Sequence, residues 1–214
     1  MKSHATVSCT PACTAGLRGA VLAGGLSSRL GLDKAGLRLT EEGPDLLARA
    51  ALLLRSLGLP PLVVGRQHTD FDWIYDATPG QGPLGGIVAA LRHAQGPCLV
   101  ISCDLPFMDA PTLLRLLAAR ETRPPAALYT AFWQPETGHT EHLAAIYEYA
   151  ALDPLEQGLG RGLLKISRIL PAESRHGVPY SPQGSLPFFN INYPADLLLA
   201  KDYLRLKTKE DKAP

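Results

Sequence analysis

Apolar positions in this chain fall into short continuous runs that alternate with stretches of helical periodicity. Residues 17–23 form one such run and lead into Gly24 and Gly25. After a long polar stretch, Leu46, Leu47, Ala50, Leu53, Leu54 and Leu57 recur at the spacing of one helix face. Residues 61–65 (PLVVG) and 72–75 (DWIY) predict short strands, and residues 84–94 a helix that opens after Pro83, where a missing amide donor costs nothing. The run 98–102 predicts a buried strand ending near Asp104, with a helix over 111–120 behind it. This βαβα alternation implies an α/β fold: a mostly parallel, Rossmann-like sheet with helices on both faces, three layers in all.

The second half is less regular. Residues 126–132, 143–147 and 188–191 predict strands, 152–157 and 163–170 short helices, and 195–206 a closing helix. Residues 133–142 and the proline-rich 171–187 predict loops. We expect one domain over residues 17–206, flanked by flexible tails at 1–16 and 207–214.

Composition narrows the function. A chain of 214 residues with 46% hydrophobic and 19% charged positions can bury a full core. A net charge of +1 offers no broad cationic field for nucleic acid, and no apolar run approaches the ~20 residues of a membrane span, so a small-molecule partner and a cytoplasmic setting are expected. Cys9 and Cys13 lie in the polar N-terminal segment, and Cys98 and Cys103 flank an apolar stretch as small core filler. Neither pair predicts a disulfide framework or a metal site. His4, His68, His93, His139, His142 and His176 do not cluster and are expected on surfaces or in loops. Trp73 and Trp133 are each expected in the core.

Chemistry concentrates in residues 22–34, LAGGLSSRLGLDK. Two glycines directly after a buried strand let backbone amides approach phosphate oxygens, and Arg29 and Lys34 supply neutralising charge. Neither the Walker pattern nor GxGxxG is present. Asp104, at the carboxyl end of a buried strand, stands where open α/β sheets place ligands, and a hard carboxylate there suits Mg2+ beside phosphates. Asp109, before Ala-Pro, is expected to cap a helix.

The 22–34 segment resembles the signature loop of the molybdenum cofactor guanylyltransferase family, LAGGxSSRMGxDK, with Leu30 in the methionine position. Residues 76–87 (DATPGQGPLGGI), 103–108 (CDLPFM) and 189–197 (FNINYPADL) are similar to that family's further motifs in the same order, with Tyr193 where threonine is usual. The resemblance spans residues 17–205 and implies the fold of nucleotide-diphospho-sugar transferases. It implies a triphosphate site built from Leu22, Ala23, Gly24, Gly25, Arg29, Lys34, Asp76, Gly82 and Asp104, with Asp104 and Asn192 holding Mg2+. Asn190 and Asn192 alternate on a predicted strand and so share a face. Gly65, Arg66 and Gln67 stand where some family members offer an asparagine to the nucleotide.

The implied reaction transfers GMP from GTP to molybdopterin. A cytidylyltransferase on the same or another phosphate acceptor is the alternative within the class. A non-catalytic nucleotide-binding carrier for a molybdoenzyme is the alternative outside it. The wording of the Ser27–Lys34 stretch and the short C-terminal half favour guanine. Transient contact with molybdoenzymes or cofactor chaperones is expected because a labile pterin is better handed over than released.

Overall fold

The computed structural model describes residues 14–24, 33–76 and 80–210, with side chains through residue 207. Its centre is a seven-stranded sheet in the order β3-β2-β1-β4-β6-β5-β7. Strands β1 (Arg18–Leu22), β2 (Pro61–Val64), β3 (Asp72–Ile74) and β4 (Cys98–Ser102) are mutually parallel. Strand β6 (Thr140–Tyr147) runs against both neighbours, β4 and β5 (Tyr129–Trp133), and β7 (Arg175–Pro179) lies parallel to β5 at the edge. The sheet is thus mostly parallel, with β6 reversed.

Helices cover both faces, and the alternation of side chains along each strand divides the core. Val21, Val63, Leu99 and Ile101 pack on one face against α1 (Leu46–Ser56) and α3 (Ala110–Glu121). Ala20, Leu22, Leu62, Val64 and Val100 pack on the other against α2 (Gly82–Ala94) and α4 (Leu152–Gly160). Strands buried on both sides need apolar residues at nearly every position, which is why 18–22, 61–64 and 98–102 read as continuous runs. Asp45 caps α1 by accepting from the Ala48 N–H at 2.7 Å, and Asp109 caps α3 by accepting from Thr112 at 2.9 Å, the role expected of it. Cys98 and Cys103 are buried free thiols.

The structure corrects the reading of the second half. Residues 171–187 contain β7, a strand disguised by Pro171 and Pro179; an edge strand tolerates proline because one side of its ladder is unpaired. Residues 133–142 are a hairpin turn rather than an open loop, since β5 extends to Trp133 and β6 begins at Thr140. The strand predicted over 188–191 does not form. A short 3-10 turn, Leu186–Phe188, leads into irregular chain whose Phe189 and Ile191 bury beside Leu39, Leu46 and Ala200. Their alternation reflects that half-buried path, not a ladder. The helix expected over 163–170 is one turn, α5 (Ile166–Ile169). The closing helix, α6 (Pro194–Glu210), runs past the expected end at 206, since the lysine-rich segment that follows is a good helix former and its cations favour a helix C-terminus.

Trp73 is 38% exposed on edge strand β3, and Trp133 is half-buried beneath the Arg175 guanidinium, so neither is a core residue. His142 lies half-buried within β6 rather than in a loop, where burial, and then His139 and Arg175, lower its pKa to about 4. The segments holding Cys9, Cys13 and most of both expected tails lie outside the described residues.

One buried charge cluster ties α3 to the end of β6. Glu148 accepts from Arg120 Nε at 2.7 Å and Nη2 at 2.9 Å, and from Arg123 Nη2 at 3.2 Å. With Arg120 and Glu148 side chains 10% and 11% exposed, deleting the anion strands a buried cation. Glu148→Ala is therefore expected to cost about 3 kcal/mol, read as a lower urea midpoint at unchanged m-value.

Candidate active site

Strands β1, β2 and β4 end at one level, because Leu22 pairs with Val64 on one side and Ser102 on the other. A cavity of about 330 Å³ opens above these ends. Leu22, Ala23, Gly24, Lys34, Asp76, Gly82 and Asp104, all expected from the sequence to bind nucleotide, line it together. Asp33, Val64, Ser102 and Leu143 line it as well and were not singled out as site residues. Asp33 stood in the motif beside Lys34, whereas Leu143 enters only through the pairing of β6 with β4. Gly25 and Arg29 lie outside the described residues.

Close backbone packing shapes the walls. Gly65, at φ +100°, lies against Gly24 so tightly that a Cβ on it would sit 2.4 Å from the Gly24 Cα. Gly86 meets Leu22 in the same manner, since a Cβ there would lie 2.9 Å from the Leu22 Cδ2. Helix α2 thereby docks hard on β1, and its first turn, with Gly82 and Pro83, borders the cavity. A helix N-terminus presents unpaired amides and positive potential, which favours an anion.

Beside the cavity, Lys34 and Asp104, which line it, meet Asn192. Lys34 Nζ donates to Asn192 Oδ1 at 3.0 Å and lies 3.5 Å from Asp104 Oδ2. Lys34 and Asp104 side chains are only 17% and 15% exposed, so their charges act with little screening. Asp104 follows β4 directly, and its C=O accepts from Ile191 N–H at 3.0 Å, fastening the 189–193 segment beside it. Asn192 is held in turn by Asp196, whose Oδ2 accepts from the N–H groups of Asn192 and Tyr193 at 2.8 Å each. Asn192 thus reaches the site from the entry of α6, not from a strand as expected. The adjacent Cys103 thiol is pushed up to about 12, chiefly by burial and then by the Asp104 charge, and is not a nucleophile at neutral pH.

Asp76, after β3, faces the cavity with Oδ1 buried and without a hydrogen-bond partner. Asp104 Oδ1 and Asn190 Oδ1 are likewise buried and unpartnered. Unsatisfied acceptors beside a cavity lined by a lysine and a helix N-terminus define a site awaiting donors or a cation.

This arrangement on this sheet is that of a nucleotidyltransferase. A family model described as the MobA-like NTP transferase domain matches residues 19–176. A probable molybdenum cofactor guanylyltransferase from Chloroflexus aggregans is 35% identical over 202 residues, covering 88% of this chain and 95% of that one. A relative of the same description from Deinococcus radiodurans is 36% identical over 187 residues, covering 85% and 92%. The crystal structure of molybdopterin-guanine dinucleotide biosynthesis protein A from Archaeoglobus fulgidus aligns with a TM-score of 0.70 at 29% identity, over 88% of this chain and 98% of its own. The chain belongs to the molybdenum cofactor guanylyltransferase family.

Burial raises the Asp76 pKa above its ordinary value. The folded chain therefore keeps this proton at pH values where the unfolded chain has lost it. The resulting stability is present at low pH and lost as pH rises through the folded pKa. Asp76→Asn is expected to abolish that decline and to leave the ligand-free protein more stable than wild type at neutral pH. Thermal denaturation from about pH 4 to about pH 7, across the range of raised carboxyl groups, checks it.

Proposed function

We propose that the chain is a cytoplasmic enzyme that transfers GMP from GTP to the terminal phosphate of molybdopterin and releases pyrophosphate. The observation that carries the reading is that Lys34 and Asp104 line a cavity bordered by the amino end of α2, with Asn192 bonded to Lys34 beside them. Guanine, rather than cytosine, is favoured by relatives described as guanylyltransferases over most of their length.

In the transfer, an oxygen of the acceptor phosphate attacks the α-phosphorus of GTP, and the bond to the β-phosphate oxygen breaks. The attacking oxygen is already ionised at neutral pH, so no side chain need remove a proton. Catalysis then rests on positioning and on neutralising charge. Lys34 meets the triphosphate with a fixed ammonium, Gly24 lets its backbone come close, and the first turn of α2 offers amide donors. Asp76 takes hydrogen-bond donors from the nucleoside. Among these roles we also place Arg29 and Gly25 on the triphosphate, from the motif alone.

The donor set fits Mg2+. Among the described residues no three His, Cys, Asp or Glu side chains gather, but Mg2+ commonly needs only one or two carboxylates when substrate phosphates complete its shell. Asp104, whose Oδ1 is buried and unpartnered, would hold it, with Asn192 as the second ligand. Bound there, the ion neutralises charge developing on the phosphates. No helix among the described residues is long and apolar enough to cross a membrane. Because the product is a labile pterin, we include transient delivery to a molybdoenzyme or chaperone in the proposal.

Two measurements test this reading. Thermal stabilisation by GTP, CTP, ATP and UTP with Mg2+ should be selective for GTP, by about 2.7 kcal/mol at a hundredfold excess over Kd; selectivity for CTP would move the product to a cytosine dinucleotide. Lys34→Ala and Asp104→Asn should each lower pyrophosphate release with molybdopterin by about a hundred- to a thousandfold while circular dichroism stays that of the wild type. An active Asp104→Asn enzyme would remove the metal assignment.

A further inference from the structure

The turn that carries Lys34 is fastened from behind and from in front. Behind, Ala35 is buried and its C=O accepts from the Leu47 N–H at the start of α1, at 3.2 Å. In front, Asp33 closes the turn with its own side chain, Oδ1 accepting from the Ala35 N–H at 3.2 Å. The same oxygen accepts a second bond, from Arg66 Nη1 at 2.8 Å. Arg66 belongs to another element, the segment just after β2. The bridge therefore links the segment after β2 to the turn that carries Lys34, at Asp33, which lines the cavity.

Its exposure argues against a role in holding the fold. The Arg66 and Asp33 side chains are 37% and 59% exposed, and pairs so placed contribute little to stability.

We propose that Arg66 is a positioning residue: through Asp33 it fixes the turn that presents Lys34 to the triphosphate. The assignment rests on the reading of the site given above. It makes the Arg66–Asp33 pair one functional unit whose members lose their effect together. Arginine suits the task, because its planar fork holds a carboxylate in a set direction where an ammonium acts as a point charge.

The test is a double-mutant cycle on the full chain. Mg2+–GTP affinity is measured by titration calorimetry, and KM and kcat by pyrophosphate release, for wild type, Arg66→Ala, Asp33→Asn, the double variant and Arg66→Lys. Asp33→Asn keeps an oxygen for Ala35 while removing the anion. Each single change is expected to weaken GTP binding by about tenfold, seen in KM more than in kcat, at unchanged melting temperature of the ligand-free protein. The double variant should be no worse than either single one, and Arg66→Lys should recover part of the loss. Equal losses from Arg66→Ala with and without Asp33 would overturn the inference, because Arg66 would then act without its partner. Wild-type affinity in both single variants would overturn it as well. A wild-type chain that binds no nucleoside triphosphate would overturn the reading of the whole site, and this inference with it.

Discussion

Leu22 is hydrogen-bonded in register with Val64 on one side and with Ser102 on the other, and the geometry of the site follows from that alignment. Three parallel strands ending at one level release three chain segments into the same space. One leads to Lys34, one to Gly65 and Arg66, and one to Asp104. A shift of one residue in either pairing would also move the buried face of a strand to the opposite helix layer. Since β1, β2 and β4 are apolar on both faces, the register cannot rest on in-out alternation alone. The close backbone seat of Gly65 against Gly24, where no larger residue fits without displacement, adds to it at the ends of β1 and β2.

Glycine seats connect packing to chemistry. Because Gly86 lets α2 lie directly on β1, the first turn of that helix reaches the cavity instead of standing off by the thickness of a side chain. Because Gly65 lies on Gly24, the segment after β2 passes close to the end of β1, and Arg66 comes within reach of Asp33. Small residues in this part of the chain serve two purposes at once: they set inter-element distance, and they leave backbone amides open to a ligand.

How much of this was legible in the chain depended on whether the cause was local. Strand 98–102 and the helix beginning at Leu46 were readable because a doubly buried strand is a continuous apolar run and a packed helix repeats its apolar face. Strand β7 was not, because prolines tolerated at a sheet edge look like breakers when the edge is unknown. The alternation at 188–191 imitated a strand because Phe189 and Ile191 bury into the α6 cluster while the intervening residue points elsewhere. In the site, Lys34 and Asp104 were legible from motif spacing. Asn192 was placed near them for the wrong reason, since Asp196 rather than a strand fixes it. The Arg66–Asp33 bridge had no local pattern to reveal it, as its members lie far apart in sequence and meet only through the pairing of β1 with β2.

The ligand-free site also carries an unfavourable balance that bears on function. Asp76, Asp104 and Asn190 each bury an acceptor oxygen with no donor, and the first two line the cavity. A buried acceptor left unpaired costs about 1–3 kcal/mol, so two facing one cavity are a substantial burden for a fold of marginal stability. Replacement by apolar residues of similar size would relieve it. That Asp76 and Asp104 both bring unpaired acceptors to the cavity that Lys34 and the amino end of α2 border suits a ligand that carries hydrogen-bond donors or a cation. On the proposed reading, the groups that weaken the empty protein are those a bound nucleotide would satisfy, and the binding energy released at these oxygens would be available to hold the triphosphate in line for transfer.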